Sequence, residues 1–273
     1  QEVLKLKSLG TYQKIANAHA DYRYNLLTGL VKVREKNRLD RPFPIVHRYR
    51  VYEHFRLLTN LDSVDCDINI GLETVRQNLR LAAANIQQAL PSNYVVLAPG
   101  GAKNLLSDNP QRRWPIENYV ELAKKLRTIG LQIVVVGAAT DLWVSDSFHG
   151  EDVIDLVGKT DLIGLFRLMD NAKVVVAHDS GPLHIATLTG TPLVSIFGPT
   201  PANAVVAFER PNTIVLQMQN RMACSPCYNG RTYANCSDNQ CMSSVLVSTV
   251  FENVAVLLRS CSFETNEAPC YDI

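Results

Sequence analysis

From about Ser92 onward the chain predicts a doubly wound α/β domain, and three observations carry that expectation. Its apolar runs are four to six residues long and do not alternate with polar side chains, so both of their faces are buried. Segments of helical spacing separate the runs, and such crossovers imply a parallel sheet. The glycine-rich and polar signatures fall just after the runs. In a parallel sheet that places them on one rim, at the carboxyl ends of the strands, where such folds bind ligands.

The elements follow in order. Tyr94 to Ala98 is the first run, closed by Pro99-Gly100-Gly101. Trp114 to Leu126 has helical spacing, with Tyr119, Leu122, Ala123 and Leu126 on one face, and Gly130 ends it. Leu131 to Val136 is a strand closed by Gly137, and Val153 to Val157 is another. Leu162 to Met169 reads as a short amphipathic helix. Val174 to Ala177 is a strand ended by His178-Asp179-Ser180-Gly181, and Leu183 to Leu188 is a short helix ended by Gly190. Leu193 to Phe197 is the last clear strand, closed by Gly198-Pro199-Thr200.

Residues 1–91 read as a separate and partial domain, with 92–273 forming the second. Val3 to Leu6 looks like a strand, Thr11 to Ala20 and Tyr49 to Leu61 look helical, and Thr74 to Leu90 is a longer helix leading into the second domain. One strand with a few helices closes no core, and the chain opens almost inside that strand. The expectation is a fragment whose upstream half-domain is not included.

Composition narrows the function classes. The 273 residues allow about two domains, and 47% apolar with 19% charged residues is a globular balance. Charges nearly cancel, 27 − 26 = +1, so no global field recruits nucleic acid. No apolar run reaches the ~18 residues of a membrane helix, and no signal-peptide pattern opens the chain. The near-neutrality hides an asymmetry. Residues 1–57 hold twelve Lys/Arg against five Asp/Glu, a net of +7, which leaves −6 for the rest. That basic stretch is a solvated face or a patch that meets an anionic acceptor or surface.

Residues 174–186, VVVAHDSGPLHIA, carry the richest chemistry. Pro182 suits the first position of a helix, because its fixed φ fits and its missing N–H is no loss there. Ser180 and Gly181 then form the tight turn before it, and Gly181 lets a ligand approach the backbone. The helix start offers free N–H groups to a diphosphate. Asp179 at the strand tip can accept from sugar hydroxyls, and His184 in the first turn can help bind phosphate. The plainer reading is a capped helix with a buried histidine and an aspartate that only caps. Gly100 ends another strand on the same rim, and Arg112, at the entrance to the next helix, can form charge-assisted bonds to phosphate, unless it is an ordinary surface cation. Neither the P-loop pattern nor G-x-G-x-x-G is present, which argues against a kinase or a nicotinamide dehydrogenase.

The string LVGKTDLIGLFRLMDNAKVVVAHDSGPLHIATLTGTPLVSIFGPT resembles glycosyltransferase family 9, the lipopolysaccharide heptosyltransferases. APGGA…RRWPIENYVELAKKL and CSPC…C…CM fit the same family in the same order, over roughly residues 92–258. The resemblance implies a GT-B architecture of two Rossmann-like domains. The C-terminal one would bind the donor, typically ADP-heptose, and the N-terminal one would carry the acceptor site and a catalytic Asp near its first strand. Asp179, Ser180, Gly181 and His184 match the donor segment. Arg112 stands where the family has a phosphate-contacting Lys, and Asp141 stands near a carboxylate that contacts the nucleoside. The catalytic Asp has no counterpart here, so the base is expected upstream of Gln1.

The implied reaction is an inverting, metal-independent transfer of heptose to the anionic inner core of lipopolysaccharide. The implied setting is the cytoplasm, with peripheral contact at the inner membrane. Two alternatives stay open: a GT-B protein using another nucleotide sugar, and a donor-binding module without turnover. Cys224, Cys227, Cys236 and Cys241 form C-x2-C-x8-C-x4-C, one set among seven cysteines. In a reducing cytosol that spacing suits a tetrahedral zinc, free buried thiols, or disulfides formed on handling.

Overall fold

The computed structural model of the chain describes residues 12–17, 32–38, 68–86, 89–104, 107–206, 210–218, 222–229 and 232–263. The expected strand at 3–6 and helix at 49–61 lie outside them.

Its centre is a parallel six-stranded sheet built from β3 (Tyr94–Ala98), β6 (Gln132–Val135), β7 (Ile154–Asp155), β8 (Val174–His178), β9 (Leu193–Phe197) and β10 (Thr213–Gln217). The spatial order is β10-β9-β8-β3-β6-β7. The chain therefore runs outward from β3 to β7, returns to β8, and runs outward the other way. The reversal falls between β3 and β8, which pair from Val95↔Val174 to Ala98↔Ala177. A crevice opens at such a reversal because the connections leave the two strand ends in opposite directions.

Both faces of the sheet are covered, as the unalternating runs predict. Val95, Leu97, Ile133, Val135, Val174 and Val176 face one core, with Trp114, Tyr119 and Leu122. Val96, Val134, Val175 and Ala177 face the other, with Leu168, Leu183 and Phe197. The first core is closed by α2 (Ile116–Thr128) and α7 (Val247–Phe263), and the second by α4 (Leu162–Asp170) and α5 (Gly181–Thr187). α4 starts at an N-cap, where Asp161 accepts the Gly164 N–H at 2.7 Å. Three shorter elements complete the domain: the hairpin β4 (Lys103–Asn104) and β5 (Ser107–Asp108), α3 (Trp143–Ser147) and α6 (Gln240–Ser243).

Several expected elements are corrected. The stretch 11–20, expected to be helical, holds the strand β1 (Tyr12–Asn17), paired in parallel with β2 (Val33–Arg38). A short segment with few apolar residues fits either period, and the partner strand decides it. The helix expected over 74–90 is α1 (Ile68–Ala84); Asn85 ends it by donating its side-chain amide to the Leu81 carbonyl at 3.3 Å. α1 packs on α4, where Arg80 Nε meets Asp170 Oδ2 at 3.2 Å. β10 lies beyond the strand expected to be last. It is an edge strand and only half-buried, so its sequence lacks the fully apolar signature.

Candidate functional site

Three turns converge on the crevice. The first is the Gly100-Gly101 turn after β3. Gly101 has φ +87°, and a side chain at Gly100 would put its Cβ 2.6 Å from Asp141 Cγ. A Cβ on Gly101 would lie 2.8 Å from the Ser180 Cβ. The turn is thus wedged between the turns after β6 and β8, and no larger residue fits. Gly137, at the end of β6, faces the same Asp141 side chain, whose Cβ would stand 3.1 Å away.

Asp141 brackets the first two turns. Its Oδ1 accepts the Gly101 N–H and its Oδ2 accepts the Ala138 N–H, both at 3.0 Å. With 2% exposure it is a bracket inside the rim. Arg113 braces the same turn from outside, donating from Nε to the Gly101 carbonyl at 2.9 Å.

The third turn, after β8, carries the charged pair. Asp179, 3% exposed, accepts from Arg112 Nη1 at 3.2 Å. Arg112 comes from a single 3-10 turn, Pro110–Arg112, that precedes α2. Its Nε is buried, with no hydrogen-bond acceptor among the described residues. Ser180 turns inward and donates to the His178 carbonyl at 3.1 Å. Gly181 is the first residue of α5, with Pro182 second, a one-residue correction to the expected start. A Cβ at Gly181 would meet nothing within 4 Å, so the backbone there is open to a ligand. His184 stands exposed on the same helix. α5 is only seven residues long, so the charge of Arg112 outweighs what its dipole contributes.

Sequence reasoning missed the support beneath this turn. His178 is fully buried at the tip of β8 and shares a 3.1 Å hydrogen bond between its Nδ1 and the Tyr119 hydroxyl. Burial pushes its pKa down to about 3; the Asp179 carboxylate pulls upward, and Arg112 and Arg113 push further down. The imidazole is therefore neutral at any ordinary pH. Burial likewise holds the Tyr119 phenol protonated. The only sequence signal for this pair is that Tyr119 lies on the buried face of its helix.

The fourth side of the rim is the turn after β9. The Pro199 carbonyl accepts from the Cys227 and Tyr228 N–H groups at 3.0 and 2.9 Å, and Ser225 Oγ donates to the Gly198 carbonyl at 2.7 Å. These bonds lay the cysteine-bearing loop across the strand end. Cys224 and Cys236 are exposed, Cys227 is half-buried and Cys241 is buried, all as free thiols. The buried-thiol reading therefore applies fully to Cys241 alone. Among the described residues no three His, Cys, Asp or Glu side chains are placed to hold one metal ion.

An open parallel sheet with a cation–carboxylate pair and glycine turns at its reversal point is a doubly wound α/β domain, and such domains take ligands at that reversal. Residues 16–234 match the sequence profile of glycosyltransferase family 9 (heptosyltransferase), and the chain belongs to that family. It is 36% identical over 98 residues to lipooligosaccharide heptosyltransferase 2 of Haemophilus influenzae, a match that covers 33% of this chain and 28% of that protein. The matched stretch thus spans under a third of the length of this curated relative. Among solved structures, E. coli ADP-heptose lps heptosyltransferase II aligns with a TM-score of 0.51 and 24% identity, covering 68% of this chain and 53% of that one. E. coli heptosyltransferase WaaC with ADP aligns with a TM-score of 0.58 and 18% identity, covering 93% and 75%. These structures share the GT-B fold with the chain.

Proposed function

We propose that the chain binds ADP-heptose at the β3–β8 crevice and serves the transfer of heptose to the anionic inner core of lipopolysaccharide. The observation that carries this reading is Arg112: one N–H is held by a buried carboxylate and another is buried without an acceptor, beside an open glycine backbone. That combination suits a diphosphate, which brings charge and several acceptor oxygens. Family membership supports the sugar-transfer chemistry, and the ADP named for the bound E. coli relative supports the nucleotide.

In this reading Asp179 orients Arg112 and accepts from sugar hydroxyls. Gly181 lets the phosphates approach the backbone, and His184 closes the phosphate side. Asp141 borders the nucleoside through the two turns it holds. The acceptor hydroxyl attacks the anomeric carbon as the bond to the diphosphate breaks, with inversion. The base that takes its proton belongs to the acceptor-side domain. Arg112 stabilises the charge that grows on the leaving diphosphate, and no metal is assigned to that step. The net positive charge of residues 1–57 suits an acidic acceptor. The place of action is the cytoplasmic face of the inner membrane, with peripheral contact; among the described residues no helix is long and apolar enough to cross a membrane.

Calorimetric titration with ADP-heptose tests the reading. Asp179→Ala and His184→Ala should each weaken binding by about 1–3 kcal/mol, the scale of a lost charged hydrogen bond. Unchanged affinity in both variants, with the fold intact, removes the donor site from this crevice.

A further inference from the structure

The loop between β10 and α6 contributes an aromatic pair to the rim. The Tyr228 and Tyr233 rings stack with centroids 4.5 Å apart and planes tilted by 30°. Two backbone bonds to the Pro199 carbonyl and the Ser225 bond to Gly198 fix the loop at the end of β9. The Tyr233 hydroxyl comes within 3.4 Å of Thr200 Oγ1, the side chain that ends the β9 turn. Gln217 holds that turn from the other side, donating from Nε2 to the Thr200 carbonyl at 2.7 Å.

Thr200 is fully buried and Tyr233 half-buried, so two hydroxyls meet in a protected place with only a long contact between them. At 3.4 Å that contact is weak, and an ionised oxygen nearby is a better acceptor for either O–H. β8 and β9 are hydrogen-bonded neighbours, with His178 paired to Ile196, so the Arg112–Asp179 pair after β8 and the Thr200–Tyr233 hydroxyls after β9 stand at adjacent strand ends. Burial keeps the phenol protonated, which leaves it a donor.

We propose that Tyr233 is a binding residue for the donor diphosphate, its hydroxyl donating to a phosphate oxygen opposite Arg112, with Tyr228 holding the ring in place. The inference rests on the ADP-sugar reading above and adds a second wall to the crevice. The loop around the cysteines becomes part of the donor site.

Tyr233→Phe keeps the ring and its stacking and removes only the hydroxyl. Its affinities for ADP and for adenosine, measured by calorimetry beside the unaltered chain, test the assignment. The expected result is roughly tenfold weaker ADP binding, the scale of one lost hydrogen bond to a charged group, with adenosine unchanged within about twofold. Loss of affinity for both ligands in equal measure places the hydroxyl in a structural role and overturns the inference, as does ADP binding unchanged within about twofold. Thr200→Val is the second variant. A smaller loss confined to ADP supports the paired hydroxyls, and an equal loss for adenosine counts against them. If the unaltered chain itself fails to bind ADP, the donor reading falls and the inference falls with it. If the unaltered chain binds and Tyr233→Phe binds equally well, only the inference falls.

Discussion

Asp141 follows β6 and Asp179 follows β8, two buried aspartates on the turns either side of the β3 turn. Asp141 gives both oxygens to backbone N–H groups of two different turns, at 3.0 Å each. Asp179 instead meets a guanidinium whose remaining N–H groups are partly unused inside the protein. Burial is the same, and partners set the role. A carboxylate spent on the main chain builds the crevice; a carboxylate that orients a cation presents that cation to what enters.

The largest effect is expected from removing the Asp141 bracket. Asp141→Ala leaves the Gly101 and Ala138 N–H groups, part-buried on the rim, without their acceptor and should lower the unfolding free energy by about 2–4 kcal/mol in a urea titration, at about 1–2 kcal/mol for each. A loss below about 1 kcal/mol would show that the turns hold themselves. Asp141→Asn retains one acceptor and should fall between.

A smaller effect sharpens what lies beneath Asp179. Unfolded His178 takes a proton near pH 6.5, and the folded site refuses it until about pH 3. This contribution is complete above pH 6.5 and is lost as pH falls toward 3. The slope is up to ~1.4 kcal/mol per pH unit, about 2 kcal/mol between pH 6.5 and 4.5. Stability measured across that window should show this slope, and His178→Gln should flatten it. The same slope in both proteins would mean that another group carries the acid sensitivity.

The smallest effect separates the cysteines. Cys241 is buried against the Gly198 turn, whereas Cys224 is exposed. Cys241→Ser should cost about 1–2 kcal/mol, and Cys224→Ser should stay within about 0.5 kcal/mol. Equal losses from both would show the thiols acting as one unit.

The sequence was most legible where burial is two-sided. Val174–Val176 and Leu193–Phe197 are continuous apolar runs, and they form β8 and β9. The turn residues between them were legible too, because glycine and proline punctuate the rim. Tyr12–Asn17 was not, since a six-residue strand has no period that excludes a helix, and its pairing with β2 lies outside any local pattern. Among the candidate residues, Gly100 falls in the turn after β3, Asp179 and Ser180 fall in the turn after β8, and Gly181 opens the helix that follows. The bracketing by Asp141 and the Tyr119–His178 bond depend on contacts 40 and 59 residues apart, which no local pattern encodes. Tyr233 sits in a stretch whose cysteines attract attention first.

In the proposed site the Arg112–Asp179 pair presents positive charge to a diphosphate. Calorimetry of Arg112→Ala with ADP and with adenosine tests it most directly. ADP binding should weaken by about ten- to a hundredfold, the scale of 1.5–3 kcal/mol for a charged hydrogen bond, with adenosine binding nearly unchanged. Equal losses for the two ligands, or none for either, would contradict it.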